Sequence, residues 1–174
     1  YIEDSWSVTD TFVWEEIGMK MVWVTVQSDP VAGGQVRINS NGSWGTNRSL
    51  QVSSGGHVTL QAQANTTDSY TFDGWYVGST KYSSDPVYQV QINDTITYVA
   101  KFKKLVVVTA HSSPSAGGNV RINGGTWGQL KTSSIYQGTQ VTLEVQENSG
   151  YQFEGWYNTE TGQKVSSSKT YQFS

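Results

Sequence analysis

Apolar and polar residues alternate along most of this chain with a period of two. Val22, Val24 and Val26 fall on one side, with Trp23, Thr25 and Gln27 on the other. Val58, Leu60, Ala62 and Ala64 alternate with Thr59, Gln61 and Gln63. Tyr98, Ala100 and Phe102 alternate with Val99, Lys101 and Lys103, and Val141, Leu143 and Val145 repeat the scheme. This pattern predicts strands with one face in a core and one in water, as in antiparallel sheets. Glycine and asparagine pairs at Gly33-Gly34, Asn41-Gly42, Gly55-Gly56, Gly117-Gly118 and Asn123-Gly124 punctuate the strands as turns. No window carries a helical period with caps. Alternation slips in one place: Tyr70 and Phe72 share a face, yet Trp75 has the opposite parity. A bulge at Gly74, and its equivalent at Gly155, would turn Trp75 and Trp156 onto the core side.

The strand pattern occurs twice. Val24-Thr25-Val26, Pro30 and Gly33-Gly34 recur as Val108-Thr109-Ala110, Pro114 and Gly117-Gly118. Val36-Arg37-Ile38-Asn39 recurs as Val120-Arg121-Ile122-Asn123, and Trp44-Gly45 as Trp127-Gly128. Tyr70, Phe72, Gly74, Trp75 and Tyr76 recur as Tyr151, Phe153, Gly155, Trp156 and Tyr157. The repeats therefore run over 22–103 and 104–174, and the second lacks a counterpart of Ile92 to Phe102. Asp10-Thr11 matches Asp94-Thr95, Trp14 matches Tyr98 and Lys20 matches Lys104. Residues 1–21 thus read as the last strands of a preceding unit, packing on a neighbour. Residues 7–18 are candidates for strand exchange into the unfinished unit. A permuted unit with its boundary near Asp85 instead of Lys104 is equally consistent with the repeat phase. The link Lys103-Lys104-Leu105 is too short for free movement, so the two units should touch, as in other repeat arrays. The expected fold is all-β: two tandem small antiparallel β-domains, β-grasp-like or sandwich-like, in an elongated arrangement.

Composition narrows the functions. Charged residues make up 14% of the chain and the net charge is −3, with Lys and Arg scattered, so nucleic acid is not an expected partner. There is no cysteine, which removes disulfides and thiol chemistry. No apolar run approaches the ~20 residues of a membrane helix, so this segment is not expected to span a membrane. The chain opens at Tyr1 and reads as a mature fragment or excised segment.

In order, Val-Thr-Val, Pro-x-x-Gly-Gly-x-Val, Val-Thr-Leu, Tyr-x-Phe-x-Gly-Trp and Asp-Thr-x-x-x-x-Ala-x-Phe resemble the divergent internalin-type B-repeat, a bacterial surface repeat. The resemblance implies a β-grasp-like unit in an extracellular protein of the bacterial cell surface, often an adhesin. It implies no shared active site.

Candidate chemistry is sparse, and the expectation is a non-catalytic protein without cofactor or metal. Ser166-Ser167-Ser168-Lys169 fits a Ser-x-x-Lys motif but sits in a serine-rich loop without partner motifs. His57 and His111 read as solvated strand-face residues, since each aligns with a glutamine in the other copy, Gln140 and Gln27. Neither Asp73 with Asp85 nor Glu144 with Glu154 has a spacing that marks a glycosidase pair. Asp68, Asp73 and Asp85 lack a calcium-loop pattern. Aromatics remain. Phe72, Trp75, Phe153 and Trp156, with Gly74 and Gly155, read as structural. Trp44 and Trp127, on glycine-rich loops, either lid the unit or present a flat face to a sugar ring or protein. Tyr76 and Tyr157 are further surface candidates. The leading expectation is a spacer or adhesin module binding a surface protein of a host or neighbouring cell. A glycan-binding module using the loop tryptophans is the alternative.

Overall fold

The computed structural model describes residues 18–174. The segment 1–17, and with it nearly all of the strand-exchange candidate 7–18, lies outside the described residues. The described chain is all-β apart from short 3-10 turns. The first repeat begins with β1 (Met21–Asp29), β2 (Gly34–Ile38), β3 (Asn47–Ser53) and β4 (Gly56–Ala64). It continues with β5 (Tyr70–Val77), β6 (Thr80–Ser83), β7 (Val87–Ile92) and the long β8 (Ile96–His111). One sheet has the order β3-β1-β8-β5-β6 and the other β2-β4-β7. Their inner faces close a core that includes Val24, Val26, Val36, Leu60, Trp75, Ile92 and Ala100. The alternating valines of β1 thus do what their period predicts: one parity is buried, the other faces out.

Within this mostly antiparallel frame one central pair runs parallel. β1 lies beside the first part of β8 from Val24–Ile96 to Asp29–Lys101. A parallel pair needs a long crossover, and here nearly the whole repeat supplies it. On its other side β8 pairs antiparallel with β5, and the ladder slips between Phe72 and Gly74. Asp73 is the extra residue of this bulge, and Trp75 beyond it is fully buried. Gly74 is required by crowding: a Cβ there would sit 2.7 Å from the Ser83 carbonyl oxygen. Gly155 repeats this, 2.8 Å from the Ser166 carbonyl oxygen.

β8 does not stop at the end of the first repeat. It continues through Lys103-Lys104-Leu105 and becomes the first strand of the second, pairing with β10 (Leu130–Tyr136) from Tyr136–Leu105 to Leu130–His111. The expected boundary at 103/104 therefore falls inside one strand. The second repeat then follows the plan of the first. β9 (Gly118–Ile122), β11 (Val141–Glu147) and β14 (Thr170–Phe173) form the small sheet, in the order β14-β11-β9. β12 (Trp156–Tyr157) and β13 (Lys164–Ser166) pair with each other. Among the described residues no strand occupies the place between β8 and β12 that residues 96–104 occupy between β1 and β5.

Candidate functional site

Two strand-end asparagines set up the tryptophan loops. Asn39 and Asn123 adopt left-handed backbone (φ 59° and 51°), which asparagine tolerates. Each side-chain oxygen accepts the amide hydrogen of the neighbouring strand, from Thr59 (2.9 Å) and Thr142 (2.8 Å). The chain then turns back towards its own strand, and the tryptophan meets the arginine two residues before the asparagine. The Arg37 guanidinium lies 4.5 Å from the Trp44 ring centre, and Arg121 lies 4.5 Å from Trp127. Arg37 is held by Gln61 and by the Ser40 carbonyl (2.9 Å). Arg121 makes a two-pronged bond to Glu144, both arms 2.7 Å. That contact holds the Glu144 carboxyl below its ordinary range. One face of each indole is thus taken by a cation. Trp44 is half-buried, whereas Trp127 keeps 39% of its surface exposed. The recurring arginine had been visible in the repeated Val-Arg-Ile-Asn, but a strand-face arginine alone does not reveal which ring it will meet.

Tyr76 and Tyr157 follow the core tryptophans and point outward. The Tyr76 hydroxyl donates to Asp73 (2.5 Å), and Lys101 stands over its ring. Asp73 also receives Lys103 at 2.7 Å. Burial pushes the Asp73 carboxyl up, but the hydrogen bonds from Lys103 and Tyr76 and the charges of Lys103 and Lys81 outweigh it and hold it below the ordinary carboxylate range. In the second repeat Tyr157 donates to Glu154 (2.6 Å), whose side chain is largely exposed. Trp44 stacks on the outer face of the β2-β4-β7 sheet and Tyr76 on the outer face of the opposite sheet. The four candidate aromatics therefore do not converge on one site.

A further concavity lies elsewhere. A groove of about 880 Å³ opens in the second repeat, between β8 and β12. Val108, Ala110, Leu143, Phe153, Trp156 and Tyr171 are among the residues that line it. Phe153 and Trp156 meet edge to face with ring centres 5.7 Å apart, as Phe72 and Trp75 do at 5.8 Å. The sequence hinted at this groove only through the missing counterpart of Ile92 to Phe102.

The remaining candidates stay apart. His57 and His111 are exposed on strands. Ser166 ends β13, and Lys169 pairs with Glu147 at 2.9 Å. The amide hydrogen of Val87 is accepted by Asp85, away from the Asp73 cluster. Among the described residues no group of three or more His, Asp or Glu side chains is placed to hold a metal ion. None of the described helices is long and apolar enough to cross a membrane.

Two family models match in tandem. Residues 108–174 match the divergent InlB B-repeat domain, and residues 35–102 match the Listeria-Bacteroides repeat domain. No curated protein and no solved structure matches the chain.

Proposed function

Because the chain is a tandem of bacterial repeats of the B-repeat type, we propose that it is a non-catalytic spacer module of a cell-surface protein, holding another part of that protein at a fixed distance and contacting a protein partner. The observation that carries this reading is β8: one strand of 16 residues belongs to both repeats. A strand paired along its length bends little, so the two units move as one. Solution X-ray scattering tests it. The chain is expected to scatter as a single rigid, extended particle, and a Gly-Gly-Ser insertion between Lys104 and Leu105 should broaden it into a range of shapes. A native chain that already requires a range of inter-repeat angles would overturn the reading.

A second reading, glycan binding, draws support from Trp127. Its ring is pinned on one side by Arg121 and the residue keeps 39% of its surface exposed, which suits stacking of a sugar ring. A glycan array probed with the chain and with a Trp44→Ala, Trp127→Ala double variant separates the two: specific binding lost in the variant favours the glycan reading. A protein-binding spacer predicts no glycan signal from either.

A further inference from the structure

We infer that Met19 and Met21, with the Trp23 ring beside them, form a surface site for a soft monovalent cation, copper(I). Such a site is independent of both the spacer and the glycan readings.

The only two methionines of the chain lie here. Methionine normally fills gaps in a core, yet Met19 keeps 77% and Met21 48% of its surface exposed. Their sulfurs converge on one hydroxyl. Ser53 Oγ lies 3.8 Å from the Met19 Sδ and 3.7 Å from the Met21 Sδ. That hydroxyl has a single hydrogen, so it cannot occupy both sulfurs, and thioether lone pairs stay available. Both side chains are exposed and unbranched, so small rotations bring the two sulfurs onto one ion.

The repeat fold does not demand methionine at this place. At the spacing that relates Val24 to Val108, the counterparts of Met19, Met21 and Trp23 are Lys103, Leu105 and Val107. Tyr136 pairs with Leu105 as Ser53 pairs with Met21. The thioether pair therefore belongs to the first repeat alone, and packing of the repeat does not explain it.

The aromatic neighbour is also unlike the others. Trp44, Tyr70, Tyr76, Trp127, Tyr136 and Tyr157 each carry a lysine or arginine over the ring. Trp23 is 48% exposed and has no such cation among the described residues. It shares the outward face of β1 with Met21, about 6.6 Å further along the strand. Lys20, between the methionines, is neutralised by its ion pair with Asp94. The sequence before Gly18 holds Glu3, Asp4, Asp10, Glu15 and Glu16 but no Lys or Arg, so it adds no repelling side chain. Neutral thioethers are soft ligands that select copper(I) over zinc or calcium, and an open indole face adds cation–π attraction.

The test uses the full chain with isotope-labelled methionine methyl groups, which gives two signals. Silver(I), an air-stable probe, and copper(I) kept reduced with ascorbate are each expected to shift both signals, saturate at one equivalent and quench tryptophan emission. Zinc(II) should move neither signal. Met19→Leu and Met21→Leu should each weaken binding about a hundredfold, the gain from a second tethered ligand. Trp23→Val should weaken it roughly two- to fivefold, the size of an exposed cation–π contact. The second repeat carries leucine and valine at the places of Met21 and Trp23, so these variants are expected to fold, which circular dichroism checks. Methyl signals that stay in place with copper(I), or a double leucine variant that binds as tightly, overturn the site. Movement of one signal alone overturns the pair, and an equal response to zinc(II) overturns the chemical class. Unchanged affinity in Trp23→Val overturns the part given to the ring.

Discussion

The two repeats share a plan and differ in one strand. With residues 96–104 in place, the first repeat buries twelve side chains in its core; without a counterpart, the second buries seven. Tyr98, Ala100 and Phe102 account directly for three of that difference. The rest is Ile92, which has no counterpart, and Val22 and Val24, whose counterparts Val106 and Val108 are only half-buried, offset by Ile135. The burial is also shallower, with Trp75 fully buried where Trp156 retains 8% of its surface, and Tyr70 half-buried where Tyr151 is 46% exposed. The strand does more than fill space. It organises the strand beside it, because a segment such as 151–155 has no ladder to join.

The sharpest way to break this comparison is to empty both cores. Trp75→Ala should destabilise the first repeat by ~3–5 kcal/mol. Trp156→Ala should cost less, ~2–3 kcal/mol, since its pocket is already open on one side. Amide exchange resolved repeat by repeat measures both; equal losses would mean that the missing strand does not loosen the second core. Next come the glycine slots. Gly33→Ala drives a methyl into Phe102 and should cost ~1–3 kcal/mol, whereas Gly117→Ala should stay within ~0.5 kcal/mol, read from the same exchange data.

A smaller contrast lies in the carboxylates beside the tyrosines. Asp73 is 13% exposed and its folded pKa is depressed. Its contribution is therefore full above the unfolded carboxyl value, and is lost as pH falls through the folded one. Asp73→Asn should lower first-repeat stability by ~0.5–1 kcal/mol at neutral pH. The gap from wild type should close in acid. Urea melts at several pH values check this; a gap independent of pH would mean that the charge is not the cause. The smallest effect concerns the stacked arginines. Arg121→Lys removes the planar fork from Glu144 and the stack from Trp127, and should change Trp127 emission more than Arg37→Lys changes that of half-buried Trp44.

Much of this architecture could be read from residue order. The duplication, the buried parity of Val22, Val24 and Val26, and the bulge before Trp75 all follow from period and its one slip. The parallel pairing of β1 with β8 could not, because alternation fixes which face of a strand is buried and not which strand lies beside it. Lys103-Lys104-Leu105 reads as a link between units, yet it is mid-strand; charged residues on an exposed strand edge look like a connector. Gly33-Gly34 reads as a turn. It also leaves room for the Phe102 ring, a demand made by a residue nearly seventy positions away. Whether Trp44 and Trp127 lid their units or face outward was not legible, nor was the pairing of the candidate aromatics with Arg37, Arg121 and Asp73, which depends on strands far apart in sequence.

The parallel pairing of β1 with β8 also decides how the first repeat answers a pull. The chain enters at the start of β1 and leaves along the continuation of β8, so tension draws two side-by-side parallel strands in opposite directions. The load falls on the hydrogen bonds from Val24–Ile96 to Asp29–Lys101 together, in shear, instead of opening them one after another like a zip. Single-molecule stretching is expected to show the first repeat rupturing in one high-force event. The second repeat, whose part of β8 has no parallel partner among the described residues, should give way first and at lower force.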